Sequence, residues 1–265
     1  MDIIGKSIVL TGAASGIGLA LLDELSKCSC RVMAVDKNAP SLEAACARLS
    51  DRAAQIVPYV CDLSERVQVD RLFEWALAVL ERIDIFFANA GFAYYEEIDT
   101  PDWEHIEHIF RVNTFNTLYT IEKMQALYGR QPYKVVVTAS AMAFLALPGY
   151  ALYSATKAAL HRFADAYRWQ IDDRRKLMMV YPIATRTGFF RAAGEDVPAA
   201  WPSQTPQQVA RAILRGVRRD RETVFPSFLF RLFLLLDRFV PIGKLEQFIE
   251  QQRLQAWKAK RGSRA

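Results

Sequence analysis

In the stretch ALYSATKAAL a tyrosine, Tyr153, stands four residues before a lysine, Lys157. On a helix that spacing stacks the phenol and the ammonium on one face, a turn apart. A phenol titrates near 10 and is a poor general base at neutral pH, but a neighbouring ammonium favours the phenolate and is expected to lower that value. So placed, Tyr153 can take a proton from a hydroxyl or give one to a carbonyl oxygen. The same spacing also describes an exposed pair on an amphipathic helix, so the rest of the chain has to decide between the two.

A second group with chemical potential lies near the N-terminus. In IVLTGAASGIGLALL, Gly12, Gly16 and Gly18 fall between an apolar run and a helical pattern. Glycine permits a tight turn and close approach of the backbone to a ligand. The helix start that follows offers unpaired N–H groups and partial positive charge to a pyrophosphate. No Gly-Lys-Ser/Thr follows, so this is not a Walker-type phosphate loop. A turn that serves only helix–strand packing is the alternative. Asp36, which ends the next apolar run in VMAVDKN, can accept hydrogen bonds from ribose hydroxyls and would repel a 2′-phosphate. Ser15 brings no basic residue to the turn, so NAD is expected ahead of NADP, although Lys37 could offset part of the repulsion.

These residues need a scaffold. Apolar or β-branched runs at SIVL, RVMAV, QIVPYV, DIFFANA, KVVVTAS, LMMVYP and ETVF alternate with helical stretches such as IGLALLDELSK, RVQVDRLFEWALAVLERI and DWEHIEHIFRVNTFNTLYTIEKMQALY. That alternation predicts an α/β fold, a doubly wound, Rossmann-like parallel sheet with helices on both faces. The 265 residues, 52% of them hydrophobic, can bury a sizeable core, and no linker, repeat or low-complexity tract divides them. A single domain over residues 1–224 with an extension over 225–265 is expected. The uncharged run from Val135 to Thr156 is long enough for a membrane span, but Pro148-Gly149 and its hydroxyl residues break it into strand, loop and helix start.

The N-terminus, with Asp2 and a short apolar run, does not read as a secretory signal. Cys28, Cys30, Cys46 and Cys61 lack metal-site spacing and suit free thiols in a reducing, cytoplasmic compartment. His105, His108 and His161 form no ligand cluster, so no metal is expected. The net charge is +5, and from Arg231 onward eight basic residues face three acidic ones, so the tail carries the whole excess. A neutral body argues against a nucleic-acid surface.

TGAASGIG, then Asn89-Ala90-Gly91, then Ser140 thirteen residues before Tyr153, and Tyr153-x-x-x-Lys157, in this order, resemble the short-chain dehydrogenase/reductase family, in its single-domain branch, over about residues 7–224. The resemblance implies an NAD(P)-dependent oxidoreductase that interconverts an alcohol and a ketone or aldehyde by hydride transfer. It implies that Ser140 holds the substrate oxygen and Tyr153 exchanges the proton. Lys157 would tune Tyr153 and bind the nicotinamide ribose, and Asn113 would anchor a water relaying protons from the lysine. Gly12, Ser15, Gly16, Ile17, Gly18, Asp36, Asp62, Leu63, Asn89, Ala90, Gly91, Pro182 and Thr187, together with Tyr153 and Lys157, are thereby expected to hold the cofactor. Asp62 would lie near the adenine ring. A homodimer or homotetramer is expected. A protein that senses a dinucleotide without turning it over is the alternative.

Two features depart from the family. YPIATRTGFF carries Ile183 where the family has glycine, and a β-branched residue resists positive φ, which weakens the assignment of Thr187. After it, GFFRAAGEDVPAAWPSQTP reads as a lid, where Phe189, Phe190 and Trp201 suit either a lipophilic substrate or the pinning of the lid. The extension then brings an apolar helix over residues 225–241, with Ser227, Arg231, Leu234 and Arg238 along one stripe. Its wide apolar face and basic flanks fit an in-plane helix at a membrane surface, a subunit interface or a cover on the substrate pocket, and the sequence leaves all three open.

Overall fold

The structure is a computed structural model that describes residues 1–187, 202–237 and 242–262. Seven strands, β1 (Ser7–Thr11), β2 (Arg31–Asp36), β3 (Gln55–Val60), β4 (Ile85–Ala88), β5 (Lys134–Thr138), β6 (Leu177–Val180) and β7 (Thr223–Val224), form one sheet in the order β3-β2-β1-β4-β5-β6-β7. Every pairing is parallel, with Ser7 opposite Arg31 and Ile8 opposite Ile85 in register. This is the doubly wound sheet that the alternation of runs predicts. Pro58 is tolerated in β3 because that strand lies at the edge, where a missing N–H costs no ladder bond on the open side.

The strands read as continuous apolar runs because both faces are covered. Side chains alternate between two cores. Ile8, Leu10 and Val136 join α1 (Gly16–Ser26), α2 (Ala39–Arg48) and α7 (Pro206–Arg218) on one face. Val9, Val135 and Val137 join α3 (Arg66–Leu80), α5 (Asn116–Tyr128) and α6 (Ala151–Tyr167) on the other. Local chemistry sets the helix starts. Asn38 caps α2 by accepting from the Ser41 N–H, and Thr205 with Gln208 makes a reciprocal capping box on α7, whose first residue is Pro206.

The stretch read as one long helix from Asp102 to Tyr128 is interrupted. α4 (Trp103–Phe110) passes through a π-helical turn (Arg111–Phe115) before α5. Such a turn widens the helix by one residue and re-aims its side chains, here including Asn113. The uncharged run divides as expected into β5, a 3-10 turn (Ala141–Ala143) and α6. Among the described residues no helix is long and apolar enough to cross a membrane. The extension folds as α8 (Phe228–Asp237) and α9 (Ile242–Gly262). It returns to the body through buried Phe230 and Trp257, the latter edge-on to Tyr95 at 5.1 Å, while Phe228, Leu232 and Leu235 stay exposed. Arg238, Phe239 and Pro241 lie outside the described residues.

Candidate active site

The chain order reverses between β1 and β4, and a crevice opens there outside the carboxyl ends of the strands, the usual ligand site of such sheets. The glycine turn forms its floor. Gly12 has φ +67°, and a Cβ there would come within 3.0 Å of the Ala90 Cα. A Cβ on Gly18 would land 1.8 Å from the Gly12 carbonyl oxygen, so α1 can start this close to β1 only because position 18 has no side chain. The Asp36 carboxylate fastens the turn to β2, accepting from the Ala14 N–H and the Asn38 N–H at 3.0 Å each. Each of its oxygens retains a lone pair for a further donor.

Asn89, Ala90 and Gly91 follow β4 and are tied to the strands beside it. Thr11 Oγ1 accepts from the Asn89 and Ala90 N–H groups at 3.0 and 3.2 Å and donates to the Phe87 carbonyl at 3.1 Å. The Asn89 side chain donates to the Thr11 carbonyl and accepts from the Thr138 hydroxyl, both at 3.1 Å. This bracing fixes the turn after β4 against β1 and β5 together.

Asn113 is fully buried beneath that turn. Its Oδ1 accepts from the Phe92 N–H at 3.0 Å, and its Nδ2 donates to the Phe92 carbonyl at 2.8 Å and the Thr156 hydroxyl at 3.2 Å. A Cβ on Gly91 would lie 3.0 Å from Asn113 Oδ1 and 3.4 Å from Lys157 Nζ, so three expected site residues share one small space. Tyr153 and Lys157 stand a turn apart on α6, both buried, with the Lys157 ammonium 5.6 Å from the centre of the Tyr153 ring and donating to the Thr138 carbonyl at 3.0 Å. Ser140 ends the segment after β5, accepts from the Met142 N–H at 3.1 Å and hydrogen-bonds Tyr153.

The expected effect of Lys157 on Tyr153 requires correction. Burial pushes the Tyr153 phenol up to about 12, with the Ser140 hydrogen bond pulling the other way, and burial pushes the Lys157 ammonium down to about 8. Lost hydration outweighs mutual attraction here: the ammonium lies by the ring and is held by the Thr138 carbonyl. At neutral pH the pair is therefore a neutral phenol beside an ammonium.

Fifteen of the expected site residues line one cavity of about 800 Å³: Gly12, Ser15, Gly16, Ile17, Asp36, Asp62, Leu63, Asn89, Ala90, Gly91, Ser140, Tyr153, Lys157, Pro182 and Thr187. Gly18 and Asn113 stand behind its wall. A glycine floor without Cβ atoms, an acid at the end of β2 and a helix start suit the pyrophosphate and ribose of a dinucleotide. Ile183 does not need positive φ, since Glu81 and Asp220 are the non-glycine residues with positive φ among those described. The loop after β6 is held by the Pro182 carbonyl, which accepts from the Ala141 N–H at 2.8 Å, and a Cβ on Gly16 would meet the Thr187 Cγ2 at 3.3 Å. Phe189, Phe190 and Trp201 lie outside the described residues.

Sequence reasoning left a cover on the substrate pocket as one of three roles for the apolar helix, and named no residue from elsewhere in the chain at the opposite end of the cavity. Met142, Leu145, Leu147 and Tyr150 line it together with Leu229, Phe230 and Phe233 of α8, and Glu246 of α9 joins them. It also missed Thr11 and Thr138, although a hydroxyl residue at the carboxyl end of an apolar strand was a readable signal. His105 is paired with Glu96 at 2.8 Å and stacked on Tyr94. Cys30, Cys46 and Cys61 are buried free thiols.

Known proteins resemble this arrangement. The family model for short chain dehydrogenases matches residues 6–198. A relative over nearly the full length is the 17-beta-hydroxysteroid dehydrogenase 13 of Rattus norvegicus, 23% identical over 259 residues that cover 96% of this chain and 85% of the relative. Among solved structures, a short-chain dehydrogenase from Sphingobium yanoikuyae in complex with NADPH superposes with a TM-score of 0.77 at 22% identity, covering 92% of this chain and 94% of that one. A short chain dehydrogenase/reductase from Burkholderia phymatum in complex with NAD gives 0.78 at 19% identity, covering 90% and 94%. At these identities the structural likeness establishes the fold.

Proposed function

The chain belongs to the short-chain dehydrogenase family, and from that premise we propose that it is an NAD(P)-dependent oxidoreductase that interconverts a lipophilic alcohol and its ketone or aldehyde. The observation that carries this reading is the position of Ser140, Tyr153 and Lys157 in one cavity, between a glycine floor and a wall of Met142, Leu145, Leu147, Phe230 and Phe233. The wall favours an apolar substrate because it offers little beyond van der Waals contact and water exclusion.

Gly12, Ser15, Gly16, Ile17 and Gly18 would hold the pyrophosphate, Asp36 the adenosine ribose, and Asp62 and Leu63 the adenine side. Asn89, Ala90, Gly91, Pro182 and Thr187 would frame the nicotinamide half. When bound, the nicotinamide supplies or accepts the hydride. Ser140 holds the substrate oxygen by hydrogen bond. Tyr153, as a neutral phenol, gives that oxygen a proton during reduction and takes it back during oxidation. Lys157 presents its ammonium to the ribose and to the phenol. Asn113, locked against Phe92 and Thr156, fixes the turn at Gly91 and anchors the water that returns protons from Lys157. NAD is preferred over NADP because of Asp36.

Residues 1–224 form the catalytic unit in this reading, and 225–265 an extension that walls the substrate end. The chain assembles as a homodimer or homotetramer. The exposed stripe of Phe228, Leu232 and Leu235, beside the basic excess of the tail, supports contact of α8 with a membrane surface from the cytoplasmic side. The central test is a screen of lipophilic alcohols and ketones with NAD(H), read by nicotinamide absorbance, with Tyr153→Phe in parallel. Turnover by the wild type and its loss in Tyr153→Phe, with dinucleotide binding retained, is the expected result. Turnover that survives in Tyr153→Phe rejects the mechanism.

A further inference from the structure

Between residues 211 and 221 the sequence RAILRGVRRDR carries five arginines against one acid, a local concentration hidden by the neutrality of the body as a whole. The fold turns part of it into a surface. The end of α7, β7 and the start of α8 enclose a second concavity of about 400 Å³, lined by Arg215, Arg219, Arg221 and Arg231 together with Phe225 and Pro226. All four arginines are exposed. Among the described residues no carboxylate forms an ion pair with any of them. The two acids adjoining them in sequence are engaged elsewhere, Asp220 with Lys134 and the Met1 amine, and Glu222 with Arg174.

Four guanidinium groups around one concavity repel one another, and their planar donor forks match phosphate oxygens. A free phosphate would satisfy that charge but would leave the neighbouring surface unexplained. Arg231 lies on α8 one turn from Phe228 and from Leu235, which are 75% and 60% exposed, with Leu232 beside them. A cationic hollow bordered by exposed aromatic and aliphatic side chains matches the two layers of a lipid surface, phosphates above acyl chains. We propose that the arginine cleft is the headgroup site through which α8 docks on a membrane surface rich in anionic phospholipid. The proposal rests on the membrane reading of the extension and assigns the electrostatic part of that contact to Arg215, Arg219 and Arg221 of the body as well as to Arg231.

The test is co-sedimentation of the full chain with vesicles of phosphatidylcholine alone and of phosphatidylcholine with phosphatidylserine. Arg219→Glu/Arg221→Glu is compared with a control that makes the same change of charge elsewhere, Arg66→Glu/Arg162→Glu, whose side chains are 73% and 80% exposed. Unchanged circular dichroism and Tm establish that both variants are folded. The expected result is salt-sensitive binding to the phosphatidylserine vesicles, weakened at least ~tenfold in the cleft variant and retained in the control. Equal weakening in both variants would mean diffuse charge attraction and would overturn the cleft as a site. Full binding by the cleft variant would overturn it too, while leaving the membrane reading intact. A wild type that stays in the supernatant with both vesicles removes the membrane reading and the proposal with it. Saturable calorimetric binding of inorganic phosphate by that protein would then identify a soluble anion as the occupant.

Discussion

Lys157 stands with its ammonium 5.6 Å from the centre of the Tyr153 ring and donates to the Thr138 carbonyl at 3.0 Å, so the two residues meet through the ring. Burial holds Lys157 down at about 8, below its ordinary 10.5. Its folded value is therefore lower than its unfolded one. Between those two values the unfolded chain binds the extra proton, so this group makes the cofactor-free protein more stable as pH rises through that window. Dinucleotide affinity should move the opposite way, because the ammonium that meets the ribose is lost above about 8. Fluorescence titration with NADH across that pH should show Kd rising in the wild type, and a weaker but flat Kd in Lys157→Met. A pH-independent wild type would remove Lys157 from the ribose.

Tyr153, raised to about 12 by burial, is a neutral phenol over the whole physiological range. Reduction then has its proton donor ready, whereas oxidation must first empty the phenol of its proton. On a confirmed substrate kcat for oxidation should climb with pH, and kcat for reduction should not gain. The measurement is kcat in each direction over a pH series, and an oxidation profile that stays flat would count against Tyr153 as the base.

Gly91 has no room for a methyl group, since a Cβ there would meet Asn113 Oδ1 at 3.0 Å and Lys157 Nζ at 3.4 Å. Gly91→Ala should shift one of these by a few tenths of an ångström. A misplacement of up to about 1 Å at a catalytic group can cost about a hundredfold, so a fall in kcat of roughly ten- to a hundredfold is expected, with little change in Tm because the two sheet cores lie elsewhere. Unimpaired turnover would show that Asn113 and Lys157 tolerate displacement.

Asp36 performs two tasks. As acceptor of the Ala14 and Asn38 N–H groups it holds the turn, and as a charge at the end of β2 it opposes a 2′-phosphate. NADH should bind at least ~tenfold more tightly than NADPH, a difference of about 1.4 kcal/mol. Asp36→Ala should lose that preference and also about 1 kcal/mol of stability, because the part-buried Ala14 N–H loses its acceptor while the exposed Asn38 N–H can turn to water. Equal affinity for both dinucleotides in the wild type would instead give the decisive role to Lys37, which lines the same cavity.

What could be read beforehand depended on how local the signal was. The strand runs, the glycine turn, Asn89-Ala90-Gly91 and the Tyr153–Lys157 spacing are contiguous patterns, and Ser140 lies thirteen residues before Tyr153. The π-helical turn at Asn113 was not legible, because RVNTF fits a regular helical period as well as a widened one. The state of Tyr153 was misjudged because spacing reports proximity to Lys157 and says nothing of burial, which decides the balance. The substrate wall escaped for a different reason. Phe230 and Phe233 line the same cavity as Met142 and Leu147 from a distant stretch of chain, and their apolar pattern suited three partners equally until the fold brought α8 over the crevice.

That wall provides the last test. Among the described residues neither of the two cores that flank the sheet includes a residue of α8 or α9; the partly buried residue furthest along the chain that packs against them is Phe225, stacked on Tyr181 at 5.2 Å and touched from α8 by Phe230 at 6.2 Å. A chain ending at Pro226 keeps that stack and loses Phe230 and Trp257, each worth about 1.5–3 kcal/mol of burial. It should still unfold cooperatively, at a lower Tm, and bind NADH nearly as well, because the glycine floor, Asp36 and Asn89 are untouched. The substrate end should suffer, since Leu229, Phe230 and Phe233 are gone from the cavity and Tyr150 and Tyr95 lose Trp257 behind them. For a lipophilic substrate KM should rise at least ~tenfold, the equivalent of losing contact with one buried aromatic side chain, while a small alcohol should be affected less. A truncated chain that fails to fold would make α8 and α9 part of the catalytic unit, and an unchanged KM on the lipophilic substrate would mean that its binding energy comes from Met142, Leu145 and Leu147 alone.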